Sequence, residues 1–446
     1  MSAAAATSNG AIRWREQLGE RLVEPEVAVS HVLSGDRVGI SIAQSTPYTL
    51  CMALAARLTE IENVAICHGA PFFSWDLPGL GERFRVESFY LSPLDRPLYQ
   101  AGSVEFNPIG CFRAHTLPES LDSFNVYMLT VSPPDSEGYV SFGDIQIMSK
   151  LMARNAKLVL AEIDERAIRT GGDNSIHLSE IDYFVERMQQ PAEIVLPPAS
   201  PEEARTTATI CDLVAHRLVP NRSTLQVGVG STSGMMMAHL GEHHDLGVQT
   251  EIIPWGTAKL VREGVITGKH KHIFPEVVVG SAFAIATPRE ELEYADGHPG
   301  FHLYDFNLTD DARLIAREEG LISINNALSV DLTGQVDSES MGPHMYTGSG
   351  GQTAFAVGAC MAGGKTIFVL PSSAMVKGER KSRIMPTLPQ GSVVTVPRAY
   401  VQYVVTEYGI ADIRGKTLRQ RARELIAIAH PDFRGELTEQ ARRIWG

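Results

Sequence analysis

The stretch Leu225-Gln226-Val227-Gly228-Val229-Gly230-Ser231-Thr232-Ser233-Gly234 runs from an apolar, strand-like segment into a turn of glycine and small hydroxyl residues. It predicts a strand over 225–230 and a helix opening through Met235-Met236-Met237-Ala238. Strand, tight turn and helix are the repeating step of α/β proteins with largely parallel sheets. The N–H groups that open such a helix suit an anion. The third glycine falls one residue late for G-x-G-x-x-G, so the dinucleotide-binding fingerprint is not met, and a purely structural turn is the alternative. The three methionines fit a core or a pocket wall.

The same step recurs outward along the chain. Arg37-Val38-Gly39-Ile40-Ser41-Ile42 reads as a strand, with a helix over 47–58 behind it. Val64-Ala65-Ile66-Cys67-His68, Val126-Tyr127-Met128-Leu129-Thr130-Val131 and Leu158-Val159-Leu160-Ala161-Glu162-Ile163 read as further strands, with a helix over 145–155. A proline-rich stretch over 189–201 interrupts the alternation, and a helix over 202–217 restarts it. The expectation is two similar open α/β domains, 1–200 and 201–446.

One carboxylate stands out in Leu246-Gly247-Val248-Gln249-Thr250-Glu251-Ile252-Ile253. Glu251 sits at the end of an apolar run, just before Pro254-Trp255-Gly256. A carboxylate there is costly unless solvated, paired or used. It can serve as a covalent nucleophile toward an activated acyl group; a cap or a salt bridge at a strand end is the structural alternative.

Other motifs resolve by order and spacing. Ala359-Cys360-Met361-Ala362-Gly363-Gly364-Lys365-Thr366 fits a relaxed P-loop pattern, but the context is helix, glycine cap, strand, the reverse of what phosphate binding by a P-loop needs. ATP and GTP binding are rejected on that ground. Tyr346-Thr347-Gly348-Ser349-Gly350-Gly351-Gln352 permits close backbone approach and could supply oxyanion donors, or be only a flexible turn. His243-His244 and Lys269-His270-Lys271-His272 match no zinc spacing, so no metal is expected. Arg414-Gly415-Lys416 and a basic amphipathic helix over 417–429 read either as an ordinary charged face or as a phosphate contact.

Composition narrows the class. The 446 residues carry a formal charge of −13, which argues against a nucleic-acid partner and leaves room for a local basic pocket. Cys51, Cys67, Cys111, Cys211 and Cys360 have no C-x-x-C spacing and read as free thiols of a reducing compartment. No apolar run approaches the roughly 20 residues of a membrane span. The first ten or so residues read as a disordered lead, and a cytoplasmic protein without membrane contact is expected.

Taken together, the segments resemble a known family, the acetyl-CoA hydrolase/transferase group, that is, family I coenzyme A transferases of the 4-hydroxybutyrate and acetate type. The resemblance covers nearly the whole chain. It rests on Ser132-Pro133-Pro134-Asp135, Arg169-Thr170 with Ser179-Glu180-Ile181-Asp182, and 246–251. It continues through Ser323-Ile324-Asn325, Val330-Asp331-Leu332-Thr333-Gly334-Gln335 and 348–352 with Gly363-Gly364-Lys365. Thr406-Glu407-Tyr408-Gly409, Arg414-Gly415-Lys416 and Ala429-His430-Pro431-Asp432-Phe433 complete it.

The resemblance implies two α/β domains of similar fold with the active site between them, in a homodimer, and a catalytic glutamate at Glu251 in the C-terminal one. It makes Val227, Gly228, Gly230, Asn325, Gly350, Gly351 and Trp255 candidates for the oxyanion site and acyl pocket, and Gly348, Gln352, Lys377 and Arg383 candidates for CoA contacts. The implied reaction moves CoA from an acyl-CoA to a carboxylic acid, with CoA as substrate and no permanently bound cofactor. An acyl-CoA hydrolase using the same glutamate and a repurposed acyl-CoA-binding protein are the alternatives. The chain departs from the family pattern at Pro254-Trp255-Gly256, where a small or polar residue and Asp-Gly are usual, and at Asp164-Glu165-Arg166-Ala167 and Tyr400. Trp255 is bulky enough to reshape the acyl pocket. Lys259 and Arg262, often acidic in the family, are expected to favour a dicarboxylate or larger anion.

Overall fold

Apolar strands separated by helices build two open sheets in the computed structural model, which describes residues 14–109, 124–190 and 199–446. The expected N-terminal lead, Cys111 and most of the proline-rich stretch lie outside the described residues. The chain divides into two compact units: one of 1–109, 113–194 and 292–305, the other of 110–112, 195–291 and 306–446.

The sheet of the first unit has seven parallel strands. Their order is Tyr183–Glu186, Leu158–Ile163, Val126–Val131, Arg37–Ile40, Val64–His68, Phe84–Ser88, Val104–Phe106. All six residues of Val126–Val131 are buried, as a parallel strand covered on both faces requires. Helices Tyr48–Ala56 and Ser149–Asn155 follow strands as expected, each slightly shorter than the sequence suggests. The strand order reverses between Arg37–Ile40 and Val126–Val131.

The second unit opens with the helix Pro201–Leu218. Ser200 and Glu203 close a capping box at its start, and His216 and Arg217 face the dipole in its last turn. Its six-stranded sheet runs Gly247–Val248, Thr224–Val227, Ile322–Asn326, Lys365–Val369, Tyr403–Thr406, Gly409–Asp412. Only the last strand is antiparallel to its neighbour. Here the order reverses between Thr224–Val227 and Ile322–Asn326. In open α/β sheets such a reversal leaves a crevice beyond the carboxyl ends of the two strands, the usual place for a ligand.

Two local expectations are corrected. The strand expected to reach Gly230 ends at Val227. The Gly228 N–H still bonds the Ile324 carbonyl at 2.8 Å, but Gly230 turns away at φ 144°. The helix behind it is 3-10, Ser233–His239, not α; the Thr232 carbonyl accepts the Met235 N–H at 3.1 Å, the three-residue spacing of that tighter helix. The run 246–253 is likewise broken, into Gly247–Val248 and Ile252–Ile253. Those two pairs belong to different sheets, and Glu251 stands at the break between them.

Candidate active site

The break that presents Glu251 is held from three sides within the second unit. The buried Thr250 hydroxyl spans the Val227 and Ile252 carbonyls at 3.3 and 3.2 Å. The Thr250 N–H donates to Val279 at 3.0 Å, and the Glu251 carbonyl accepts the Ser281 N–H at 2.6 Å. Thr250 therefore ties the glutamate to the carboxyl end of Thr224–Val227, one of the two strands at the reversal.

The Glu251 side chain accepts the Gly351 N–H on Oε2 at 2.8 Å. Gly351 is the N-cap of the ten-residue helix Gln352–Met361, so the carboxylate lies at the positive end of a helix dipole. No Lys, Arg or His forms an ion pair with Glu251 among the described residues. Protein atoms crowd the carboxylate while part of the residue stays reachable by solvent. Burial pushes its pKa up to about 7, and the Gly351 N–H pulls the other way. A nucleophile that ionises near neutrality, reachable and without a cation to quench it, is suited to attack an acyl group.

Another carboxyl approaches the same place. A Cβ on Gly351 would stand 2.6 Å from Glu251 Oε2 and closer still to Asp310 Oδ2. Only glycine fits between the two acids. Asp310 is fully buried, and its Oδ1 accepts the Thr309 hydroxyl at 2.9 Å. The Thr309 hydroxyl in turn meets the Ser281 hydroxyl at 2.6 Å.

The structure gathers some of the sequence candidates and disperses others. Gly350 and Gly351 are at Glu251: a Cβ on Gly350, whose φ is 54°, would be 3.8 Å from both carboxylate oxygens. Val227 is joined through Thr250. Gly228 and Gly230 abut the neighbouring strand end, where a Cβ would collide with Asn325 and Asn326 respectively. The Asn325 amide is bound inward, to Gln226 at 3.1 and 2.9 Å and to Ser323 at 2.9 Å. Gln352 follows Gly351, but its amide donates to the Asn326 carbonyl at 2.9 Å. Gly348 is buried earlier in the same loop.

Trp255 donates its indole N–H to the Ile285 carbonyl at 2.9 Å. Gly256, at φ 82°, begins the helix Thr257–Arg262, whose first N–H groups are capped by Glu291. Lys259 is exposed, with its ammonium 3.9 Å from Glu263 rather than at Glu251, so it is not the cation expected beside that carboxylate. Lys377 is exposed at the turn between Ser373–Val376 and Glu379–Ser382, with φ 51°. The Arg383 guanidinium is largely buried near Tyr346 and Glu407, and makes no ion pair among the described residues.

Sequence reasoning missed three groups. Asp310 sits in Thr309-Asp310-Asp311, which reads as a helix cap; Asp311 does cap, accepting the Arg313 N–H at 2.8 Å, while Asp310 turns inward. Asn326 pins the glycine turn by bonding Val229 and Ser233 at 2.9 and 2.6 Å. The buried Glu339 anchors the Gly-rich loop by accepting the Ser349 hydroxyl at 2.9 Å. The adjacency Asn325-Asn326 was a usable signal, since alternate residues of a strand face opposite ways.

Known proteins share both the sequence and the fold around this geometry. Residues 8–196 match the acetyl-CoA hydrolase/transferase N-terminal domain, and residues 289–441 match the C-terminal domain. The chain belongs to the acetyl-CoA hydrolase/transferase family. It is 34% identical over 437 residues to 4-hydroxybutyrate coenzyme A transferase of Clostridium kluyveri, covering 97% of this chain and 100% of that one. It is 34% identical over 438 residues to succinyl-CoA:cyclohexane-1-carboxylate CoA transferase of Geobacter metallireducens, covering 97% of each. The RipA structure from Yersinia pestis superposes with a TM-score of 0.89 at 32% identity, covering 97% of this chain and 99% of RipA. Among the described residues no helix is long and apolar enough to cross a membrane, and no three His, Cys, Asp or Glu side chains are grouped to hold a metal.

Proposed function

We propose that the protein is a CoA-transferase that moves CoA from an acyl-CoA thioester to a free carboxylic acid through covalent intermediates on Glu251, carried by a domain spanning 201–446. The observation that supports this most is a reachable carboxylate with no ion-pair partner among the described residues, held at the strand reversal by the Gly351 N–H.

A Glu251 oxygen attacks the thioester carbonyl, the C–S bond breaks, and CoA leaves as thiolate. This forms an acyl-glutamyl anhydride. The thiolate attacks the glutamyl carbonyl, releasing the first acid and leaving a glutamyl-CoA thioester. The acceptor carboxylate attacks that thioester and expels the thiolate, giving a new anhydride. The thiolate then attacks the new acyl carbonyl, and Glu251 returns as carboxylate. No proton is consumed, so the nucleophile needs ionisation but no general base. In this reading the tetrahedral intermediates need N–H donors, and the Gly351 N–H, which lies on Glu251 Oε2, is the first candidate.

In this reading Asn325 and Gln352 act mainly by bracing the strand ends, Trp255 walls the acyl side, and Gly348 with Gly350 lets the substrate approach the backbone. The exposed Lys377 and the half-buried Arg383 contact the phosphates of CoA. We place the enzyme in the cytoplasm as a homodimer, which size-exclusion with light scattering would check.

The test is CoA transfer from acetyl-, succinyl- and 4-hydroxybutyryl-CoA to a panel of acids. Transfer that requires the acid and vanishes in Glu251→Gln supports the proposal. CoA release that is indifferent to added acid assigns hydrolysis instead, and tight acyl-CoA binding without turnover, unchanged in Glu251→Gln, assigns a binding protein.

A further inference from the structure

We infer that Asp310 is a positioning residue for Glu251, holding the one proton that the two facing carboxyls share so that Glu251 remains the ionised member. This rests on the catalytic reading of Glu251 given above.

The two acids crowd the same point, the site a Gly351 Cβ would occupy. Two carboxylates at such close quarters do not both ionise near neutrality; one proton stays with the pair. Which member keeps it follows from the surroundings. Glu251 has the Gly351 N–H, the positive end of a ten-residue helix and some access to water, all of which favour charge. Asp310 is fully buried, with a hydroxyl partner in Thr309. Complete desolvation favours its neutral form.

Groups at the pair include the Gly351 N–H at the start of Gln352–Met361, the Thr309 hydroxyl, and the Ser281 hydroxyl beyond it. The other acid tied to the loop is Glu339, held by Ser349 and itself pushed toward the neutral form by burial.

A protonated Asp310 braces Glu251 from behind without repelling it and keeps Oε2 on the Gly351 N–H. When the pair loses its remaining proton, two anions face each other and Glu251 is driven off that donor. The rate through Glu251 then passes between two limbs. The acid limb reports Glu251, whose pKa stands at about 7. The alkaline limb reports loss of the proton that the pair retains.

The test compares Asp310→Ala with Asp310→Asn, which copies the shape and neutrality of the protonated acid. Asp310→Ala is expected to lower kcat about 30-fold with little change in KM for the acyl-CoA. Asp310→Asn is expected to rescue most of that loss and to remove the alkaline limb of kcat/KM. An infrared measurement on the wild type does not depend on either variant folding. A carboxylic-acid C=O band at pH 8 should shift when aspartate carries 13C at its side-chain carboxyl and stay when glutamate does.

The inference is overturned by a wild-type spectrum with no carboxylic-acid band that follows aspartate, by Asp310→Asn falling as far as Glu251→Gln, or by an alkaline limb that survives in Asp310→Asn. A CoA adduct on the Glu251 peptide is measured alongside. Its absence from the wild type sinks the reading of Glu251, whereas its presence with any of those results sinks only the role of Asp310.

Discussion

Glu162 of the first unit and Glu251 of the second unit occupy similar sequence contexts. Each ends an apolar run and is followed by isoleucine, in Leu160-Ala161-Glu162-Ile163 and Val248-Gln249-Thr250-Glu251-Ile252. Their surroundings separate them. Glu162 is fully buried and meets Arg187 at 2.6 Å, and its other oxygen accepts the N–H groups of Thr49 and Leu50 at 2.7 and 3.3 Å. Arg187 is itself fixed by Asp164 at 2.7 Å and the Thr130 hydroxyl at 2.9 Å. Both Glu162 oxygens are thus committed to holding helix Tyr48–Ala56 and Arg187 to the sheet. Glu251 also sits at a helix start, but among the described residues it has one N–H, no paired cation and another acid beside it. Similar open sheets thus carry one carboxylate that is satisfied and one that is poised; the fold supplies the positions and the neighbours decide the chemistry.

The contrast can be broken most directly by neutralising each acid. Glu251→Gln is expected to lower transfer roughly 10⁵-fold, as loss of a covalent nucleophile does, while Glu162→Gln leaves covalent chemistry intact in the molecules that fold. Steady-state assays normalised to folded protein separate the two.

Arg187→Met removes the cation and leaves Glu162 buried without it, which should cost about 3–5 kcal/mol. A urea midpoint would read this, and a loss below about 1 kcal/mol, the worth of an exposed pair, would mean that Glu162 is not held as described. Gly351→Ala pushes a methyl between Glu251 and Asp310 and displaces the N–H donor. It should lower kcat about 100-fold with a far smaller effect on the urea midpoint.

The smallest effect has the opposite sign. The pKa of Glu251 is raised to about 7 in the folded protein, above its unfolded value. Its contribution to stability is therefore present at low pH and is lost as pH rises through about 7. Glu251→Gln should stabilise the protein by on the order of 2 kcal/mol at about pH 8, with the gain shrinking toward pH 5. A gain that does not change with pH would contradict the assignment.

Much of this was legible in the residues. Unbroken apolar runs such as 126–131 and 158–163 became strands with those bounds, because a doubly covered parallel strand leaves no alternative periodicity. Glu251 and the glycines over 348–351 were chosen as candidates through a resemblance whose segments are spread along the whole chain, and the structure brings Gly350 and Gly351 to Glu251. What did not show was tertiary. Nothing near Glu162 announces Arg187, 25 residues away, and nothing in Thr309-Asp310-Asp311 says which acid caps and which turns inward. Asn325 was chosen over Asn326, yet it is Asn326 that pins the glycine turn. Lys259 is close to Glu251 in sequence, but the helix Thr257–Arg262 points it into solvent.

The measurement that bears most directly on the central claim is peptide mass spectrometry of the wild type and Glu251→Gln after incubation with acetyl- and succinyl-CoA. The Glu162 peptide serves as the internal control. The predicted result is a CoA adduct on the Glu251 peptide alone, absent from Glu251→Gln and discharged by an acceptor acid. Turnover in the wild type without any adduct on Glu251, or turnover that persists in Glu251→Gln, would contradict it.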